Sequence, residues 1–327
     1  MFIKIRIVLF SEVNSKLGSP FLRILSAHPM VDLVGVVTSP PQSKCSYFIH
    51  DKCSVDIEDE AKSLQVPVFR PENVNSPAME ETLKGLEPDY FIVANFQQLI
   101  KENLLKIPKI IPINFHPSPL PRYAGLAPFY WIIKNGEKRT SVSAIKMDQG
   151  LDTGDIIMQY PVEINSKTTG LELRVNQEQQ NILMLLDLIP KLFTKNISCS
   201  PQNMDNRSYF SRIEENEYKL DLNLSAERVE QHIRAAYRNP GAFFFLRDGE
   251  KITVLKAEIT PYFCTSRKTG ELKFNDNSIY LATKDKWLRL LTVEYENVEI
   301  PANESPVLIK YKKDQDEEEL SYVDLSA

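Results

Sequence analysis

The chain has 327 residues, 43% of them hydrophobic and 25% charged, with a formal net charge of −5. That length suits two domains at roughly 100–200 residues each. The acidic balance speaks against DNA binding by bulk charge. No apolar run reaches the roughly 18–20 residues of a membrane span. The N-terminus lacks the layout of a secretion signal, so the expected compartment is the cytoplasm. Cys45, Cys53, Cys199 and Cys264 fall at no zinc-like spacing, so reduced thiols and no metal site are expected.

Residues 2–10 alternate and are rich in Ile and Val, which predicts a first strand. A helix is expected to follow, starting at Ser19-Pro20 with Ser as its cap. The nearly continuous apolar run at 31–38 reads as a strand covered on both faces. After a polar loop at 39–54 come a helix at 57–64, a strand at 66–69, a helix at 78–86 and a buried strand at 90–94. Residues 110–115 form a further strand despite Pro112. This alternation predicts a doubly wound, Rossmann-like α/β domain. Ser11-Glu12-Val13-Asn14-Ser15 stands where a Gly-rich dinucleotide loop would follow the first strand, so no nicotinamide cofactor is implied.

Two strands at 141–145 and 155–164 and a long helix at 171–188 come next. Leu173, Val175, Ile182, Leu183, Leu185 and Leu186 supply the helix's expected apolar face. Residues 196–208 are polar and read as a linker. Beyond them lies a helix at 225–236 and then strands at 242–246, 252–255 and 288–293. The expected division is a catalytic domain at 1–195, the linker, and a smaller, mostly β domain at 209–327, an OB-like barrel. The acidic run Asp314-Gln315-Asp316-Glu317-Glu318-Glu319 reads as a solvated tail.

Chemistry concentrates in two stretches. Asn114 and His116 stand two apart on a predicted strand, so they share a face. They lie at its carboxyl end, where open α/β sheets bind ligands. Pro117, Pro119 and Pro121 stiffen the following loop. Met147-Asp148-Gln149-Gly150-Leu151-Asp152-Thr153-Gly154-Asp155 packs two glycines and three acids into nine residues. A strand histidine is often structural, and an Asp before Thr-Gly is often only a turn residue.

Taken together, Asn114-x-His116, the Pro-rich segment, Arg122-Tyr123-x-Gly125-x-x-Pro128 and the Asp152-Thr153-Gly154-Asp155 loop resemble the folate-dependent formyltransferase family. The similarity covers most of residues 1–260. Residues 209–259 are similar to the start of the carboxy-terminal domain of methionyl-tRNA formyltransferases. The family also includes the amino-terminal domains of 10-formyltetrahydrofolate dehydrogenase and of aminoarabinose-modifying enzymes.

The resemblance implies formyl transfer from 10-formyltetrahydrofolate to a primary amine through a tetrahedral intermediate, without metal. It assigns Asn114 and His116 to the oxyanion, and to Asp152 the orientation of His116 and the relay of the amine proton. Ser118 shapes the loop. The folate would meet Phe96, Gln97, Gln98 and Ile100 on one loop and Met147, Asp148, Gln149 and Leu151 on another, although Phe96 and Ile100 equally suit simple core.

Three departures bear on the acceptor. Pro119 replaces a Leu of the family's pattern. Residues 40–56 carry only Lys44 and Lys52, with no Arg or Gly, where the tRNA enzymes have a basic insertion. The carboxy-terminal region lacks a cationic face, since Lys310, Lys312 and Lys313 adjoin the acidic run. Residues 234–243 loosely resemble sugar-modifying members. A small-molecule amine in a biosynthetic pathway, such as an amino-sugar nucleotide or an amino-acid-derived amine, is therefore expected. Methionyl-tRNA and hydrolysis of the formylated folate are the alternatives.

Overall fold

The computed structural model describes residues 4–48, 54–264, 268–275 and 277–323, with only the backbone described at Tyr47 and 315–323. Lys52, Cys53 and the start of the first predicted strand lie outside the described residues, as do the acidic tail's side chains from Gln315 on. Two compact units emerge. One comprises 1–128, 138–164 and 173–211, and the other 129–137, 165–172 and 212–327.

The chain runs β1 (Ile5–Phe10), α1 (Gly18–Ala27), β2 (Val31–Val37), α2 (Ile57–Ser63), β3 (Val68–Phe69), α3 (Pro77–Gly85), β4 (Tyr90–Ala94), α4 (Glu102–Leu105) and β5 (Ile111–His116). It continues through β6 (Ala124–Gly125), α5 (Pro128–Lys134), β7 (Arg139–Lys146), β8 (Ile156–Glu163), α6 (Gly170–Phe193) and β9 (Tyr209–Phe210). Seven strands form one sheet in the order β3-β2-β1-β4-β5-β7-β8. The first five are parallel, and β7 and β8 are antiparallel. The order reverses between β1 and β4, the switch point where such sheets open a crevice.

The apolar run of β4 is buried along its whole length, as a parallel strand covered on both faces requires. Phe10, Val37, Phe91, Val74 and Leu83 belong to a core on one side of the sheet. Pro112 is tolerated because the β5–β7 ladder begins only at Ile113, so β7 does not call on its missing N–H.

Local chemistry sets most helix starts. Asp56 caps α2 and Ser76 caps α3, with Pro77 in its first turn. The predicted Ser19 cap is corrected: α1 begins at Gly18, whose N–H donates to Ser15 Oγ (3.0 Å). Ser19 instead donates to Glu60. The predicted face of α6 is corrected too. Val175, Leu183 and Leu186 are exposed, whereas Leu173, Gln177, Asn181, Met184, Leu188 and Leu192 form the buried stripe. That stripe keeps helical spacing, so periodicity overruled residue type. The strand predicted at 66–69 shortens to its last two residues.

In the second unit, α7 (Ala226–Ala236) precedes β10 (Ala242–Phe245), β11 (Lys251–Phe263), β12 (Leu272–Asn275), β13 (Ser278–Ala282), β14 (Lys286–Tyr295), β15 (Val298–Pro301) and α8 (Pro306–Val323). The strands make a mostly antiparallel sheet in the order β10-β11-β14-β13-β12. β15 continues the β14 edge where β13 leaves off. The apolar face of α7 buries Val229, Ile233 and Ala236.

Candidate active site

Asn114 and His116 close β5, paired to Val93 of β4 and to Ser143 of β7 respectively. His116 is buried, and its Nε2 stands 3.1 Å from Gly125 O and 3.2 Å from Asp152 Oδ2. Both partners are acceptors, so Nε2 carries a proton. Nδ1 is 2.9 Å from Ser118 Oγ, and that hydroxyl donates to Arg122 O (3.1 Å). The Ser118 hydroxyl accepts from Nδ1 when the ring is charged and can turn to donate to it when the ring is neutral. Burial pushes the His116 pKa down, but the Asp152 carboxylate and the Gly125 carbonyl outweigh it and hold it above the usual histidine value.

Asp152 joins the pieces. Oδ2 accepts the Gly125 N–H (2.9 Å) as well as the His116 proton. Oδ1 lies 3.5 Å from Asn114 Nδ2, the outer limit of a hydrogen bond. Burial favours the neutral acid, yet His116 and the Gly125 N–H reverse it and keep the Asp152 pKa below the ordinary carboxylate range. Its φ of +57° places it in the left-handed region, at a cost of ~1–3 kcal/mol for a non-glycine residue. The carboxylate is therefore held where a Gly would sit more comfortably.

The loop that carries Asp152 is shaped from within and from outside. Asp148 Oδ1 accepts from the Gly150 N–H (3.0 Å) and Thr153 Oγ1 (2.7 Å). A Cβ on Gly154 would lie 1.7 Å from Lys146 O, so only glycine fits. From outside, Gln202 Nε2 donates to Asp152 O (2.8 Å) and Gly154 O (2.7 Å), and Arg207 donates to Leu151 O (2.7 Å). Residues 208–210 also hold the other motif: Ser208 O accepts from Ala124 N, and β9 pairs with β6. Tyr123 stacks on Phe210 at 5.4 Å.

Gln202, Arg207 and Ser208 are site residues that the sequence did not signal, because 196–208 resembles a polar linker in composition. Ser143 is another. Its Oγ donates to Ser118 O (2.6 Å), and Gln159 braces it (2.9 Å).

The expected folate residues fall into two groups. Ile100 is buried in the core and Phe96 packs against that core, edge-on to Phe10 at 5.5 Å. Gln98 bridges Val74 N (2.8 Å) and Pro71 O (3.3 Å). Gln97 is exposed, with its backbone N–H on Glu12 Oε1 (2.8 Å). Met147 is half-buried against the same core, while Asp148, Gln149 and Leu151 are exposed. Among the described residues no cluster of His, Cys, Asp and Glu could hold a metal ion.

The geometry offers an amide donor, an imidazole and a carboxylate around one point. Such a set can stabilise an oxyanion and move a proton.

Comparison with known proteins identifies the family. Residues 5–187 match the model of the formyl transferase family, and 212–304 match that of the formyl transferase C-terminal domain. The chain is 33% identical over 242 residues to the bifunctional polymyxin resistance protein ArnA of Wigglesworthia glossinidia brevipalpis. That match covers 73% of this chain but only 36% of ArnA. It is 30% identical over 283 residues to the methionyl-tRNA formyltransferase of Orientia tsutsugamushi, covering 85% of this chain and 90% of that one. In fold it resembles the N-formyltransferase of Helicobacter canadensis crystallised with folinic acid and dTDP-3-aminofucose. The TM-score is 0.66 at 20% identity, over 88% of this chain and 99% of that one.

Proposed function

The chain belongs to the formyltransferase family, and from that premise we propose that it moves the formyl group of 10-formyltetrahydrofolate to the primary amine of a small molecule. The observation that carries this is the meeting of Asn114, His116 and Asp152 at the carboxyl end of β5. The amine attacks the formyl carbon held on the folate nitrogen, and a tetrahedral oxyanion forms. The Asn114 amide donates to that oxygen, and His116 in its charged form supplies positive charge beside it. Asp152 balances the imidazolium and takes the amine proton. His116 returns a proton to the folate nitrogen as the C–N bond breaks. No covalent enzyme intermediate is needed.

The folate is assigned to the loops that follow β4 and β7: Phe96, Gln97, Gln98 and Ile100 on the first, and Met147, Asp148, Gln149 and Leu151 on the second. Support for a small acceptor comes from the described part of the loop after β2. There Lys44 is the one cation between Pro40 and Phe48, too little charge to grip a tRNA acceptor arm. A second reading, methionyl-tRNA as acceptor, is favoured by sequence relatives that align along nearly their whole length.

The test is to incubate the purified protein with 10-formyltetrahydrofolate and, separately, amino-sugar nucleotides, diamino acids or charged initiator methionyl-tRNA. Release of tetrahydrofolate and product mass are followed, with His116→Ala as control. Turnover of small amines alone is expected. Formylation of the tRNA replaces the first reading with the second, and tetrahydrofolate release without any acceptor turns it to hydrolysis.

A further inference from the structure

The segment after β1 lacks the glycines of a phosphate cradle, and its residues are put to another use. Ser11, Glu12, Val13, Asn14 and Ser15 are all buried. Ser15 takes up the first N–H of α1, and a Cβ on Gly18 would strike Ser11 Oγ at 2.0 Å. The helix start is thus closed from inside and presents no open anion site.

What the segment does is bond to its neighbours. Ser11 Oγ donates to Ala94 O (2.6 Å), and Glu12 N donates to Asn95 O (2.8 Å). Glu12 Oε1 accepts the Gln97 N–H at 2.8 Å. The Ser39 hydroxyl also hydrogen-bonds the Glu12 carboxylate, while its oxygen accepts from Val13 N (3.1 Å). Asn14 exchanges two bonds with the backbone of Cys45, each 2.9 Å. Gln97 Nε2 reaches Cys45 Sγ (3.2 Å). Three loops, following β1, β2 and β4, are laced at the sheet's switch point, with Glu12 at the centre.

A carboxylate suits this place because it accepts from two donors at once. An aliphatic side chain would take the acceptor from the Gln97 N–H and leave the hydrogen of the buried Ser39 hydroxyl without one, which is costly. The loop it secures is irregular: Asn95 has φ +60°, off the strand conformation of β4. The Glu12 main chain holds Asn95 O, and its carboxylate holds the Gln97 N–H two residues on, so one residue grips the irregular backbone at both ends.

We propose that Glu12 is a positioning residue for the folate pocket: its carboxylate fixes the backbone of residues 95–97 in the form that meets the folate. This rests on the assignment of that loop to the folate site. Glu12 touches neither folate nor acceptor. It acts through the Gln97 amide, and the lacing through Ser39 and Asn14 extends its hold to the loop after β2.

The test uses the full chain and 5-formyltetrahydrofolate, titrated by calorimetry against wild type, Glu12→Ala and Glu12→Gln, with thermal midpoints measured alongside. Glu12→Ala is expected to weaken binding at least tenfold. Glu12→Gln keeps an oxygen for the Gln97 N–H, and the Ser39 hydroxyl can turn to accept from its amide, so binding should return to within about threefold of wild type. A folded Glu12→Ala that binds as tightly as wild type overturns the proposal. So does a loss shared equally by both variants, which would mark a purely structural acid. Should Glu12→Ala not fold, Ser39→Ala cuts one of the same bonds. A threefold or greater loss of affinity then sustains the proposal, and unchanged affinity overturns it. Wild type that fails to bind 5-formyltetrahydrofolate overturns the folate assignment itself, a result distinct from a Glu12 variant that binds normally.

Discussion

Replacing Asp152 by Asn keeps the side chain's shape and removes its charge. Asn tolerates the left-handed backbone at φ +57°, so the loop should stay in place. The hydrogen bonds cannot all survive. Oδ2 now accepts from both Gly125 N (2.9 Å) and His116 Nε2 (3.2 Å), while Oδ1 faces the Asn114 amide at 3.5 Å. An amide has one oxygen. Turned either way, it sets an N–H against another donor. That costs about 1–3 kcal/mol of stability in a buried site.

The chemical loss is larger. His116 loses the negative charge that offsets its burial, so its pKa falls and less of the charged ring forms. Loss of one preorganised electrostatic partner is worth about 2.7–4 kcal/mol. At 1.36 kcal/mol per decade this lowers kcat about 10²–10³-fold, with KM for the folate nearly unchanged. The assay is tetrahydrofolate release at saturating 10-formyltetrahydrofolate across pH. The limb set by His116 should also move to lower pH. A folded variant with kcat within fivefold of wild type would refute the role given to this carboxylate.

Three further outcomes follow from the same geometry. The Arg207 cation lowers the pKa of both His116 and Asp152, so Arg207→Gln should shift both limbs of the pH–rate profile to higher pH, with Arg207→Lys restoring them. Gly154→Ala, whose Cβ would meet Lys146 O at 1.7 Å, should displace the Asp152 loop and cut activity at least tenfold while circular dichroism stays native. In the second unit, burial lowers the His232 pKa to about 4, and its Nε2 sits 3.0 Å from the buried Tyr130 hydroxyl. The folded state resists protonating this ring, so its stability contribution is full above about pH 6.5 and drains away as pH falls toward 4, by at most about 3 kcal/mol. Urea titrations at pH 7 and pH 4.5 should show a smaller acid loss in His232→Gln.

The His116–Asp152 pair brings its own pH window. The raised His116 pKa adds stability below the unfolded histidine value, and that is lost as pH rises through the folded value. The lowered Asp152 pKa adds stability above the unfolded carboxylate value, and that is lost as pH falls through the folded one. The two describe one ion pair and are counted once. Its contribution is fullest between those two unfolded values.

The sequence by itself determined what depends on local pattern. A short unbroken apolar run such as 90–94 suits a strand buried on both faces whatever lies elsewhere in the chain. Asn114 and His116 share a face because side chains alternate along a strand. The motifs at 114–128 and 147–155 were legible for the same reason: each is contiguous, and its glycines and prolines answer to local backbone demands.

Tertiary structure alone decided what depends on distance along the chain. It chose the buried stripe of α6, where Gln177 and Asn181 lie inside while Leu183 and Leu186 face out. It set Asp152 against His116, which stand on separate elements, and it brought Gln202 and Arg207 fifty and fifty-six residues back along the chain to brace that loop. It turned Glu12 from an unremarked acid after β1 into the centre of a bond network at a switch point. A hydrogen bond across so many residues leaves no periodicity behind it, and only the packed sheet supplies the partners.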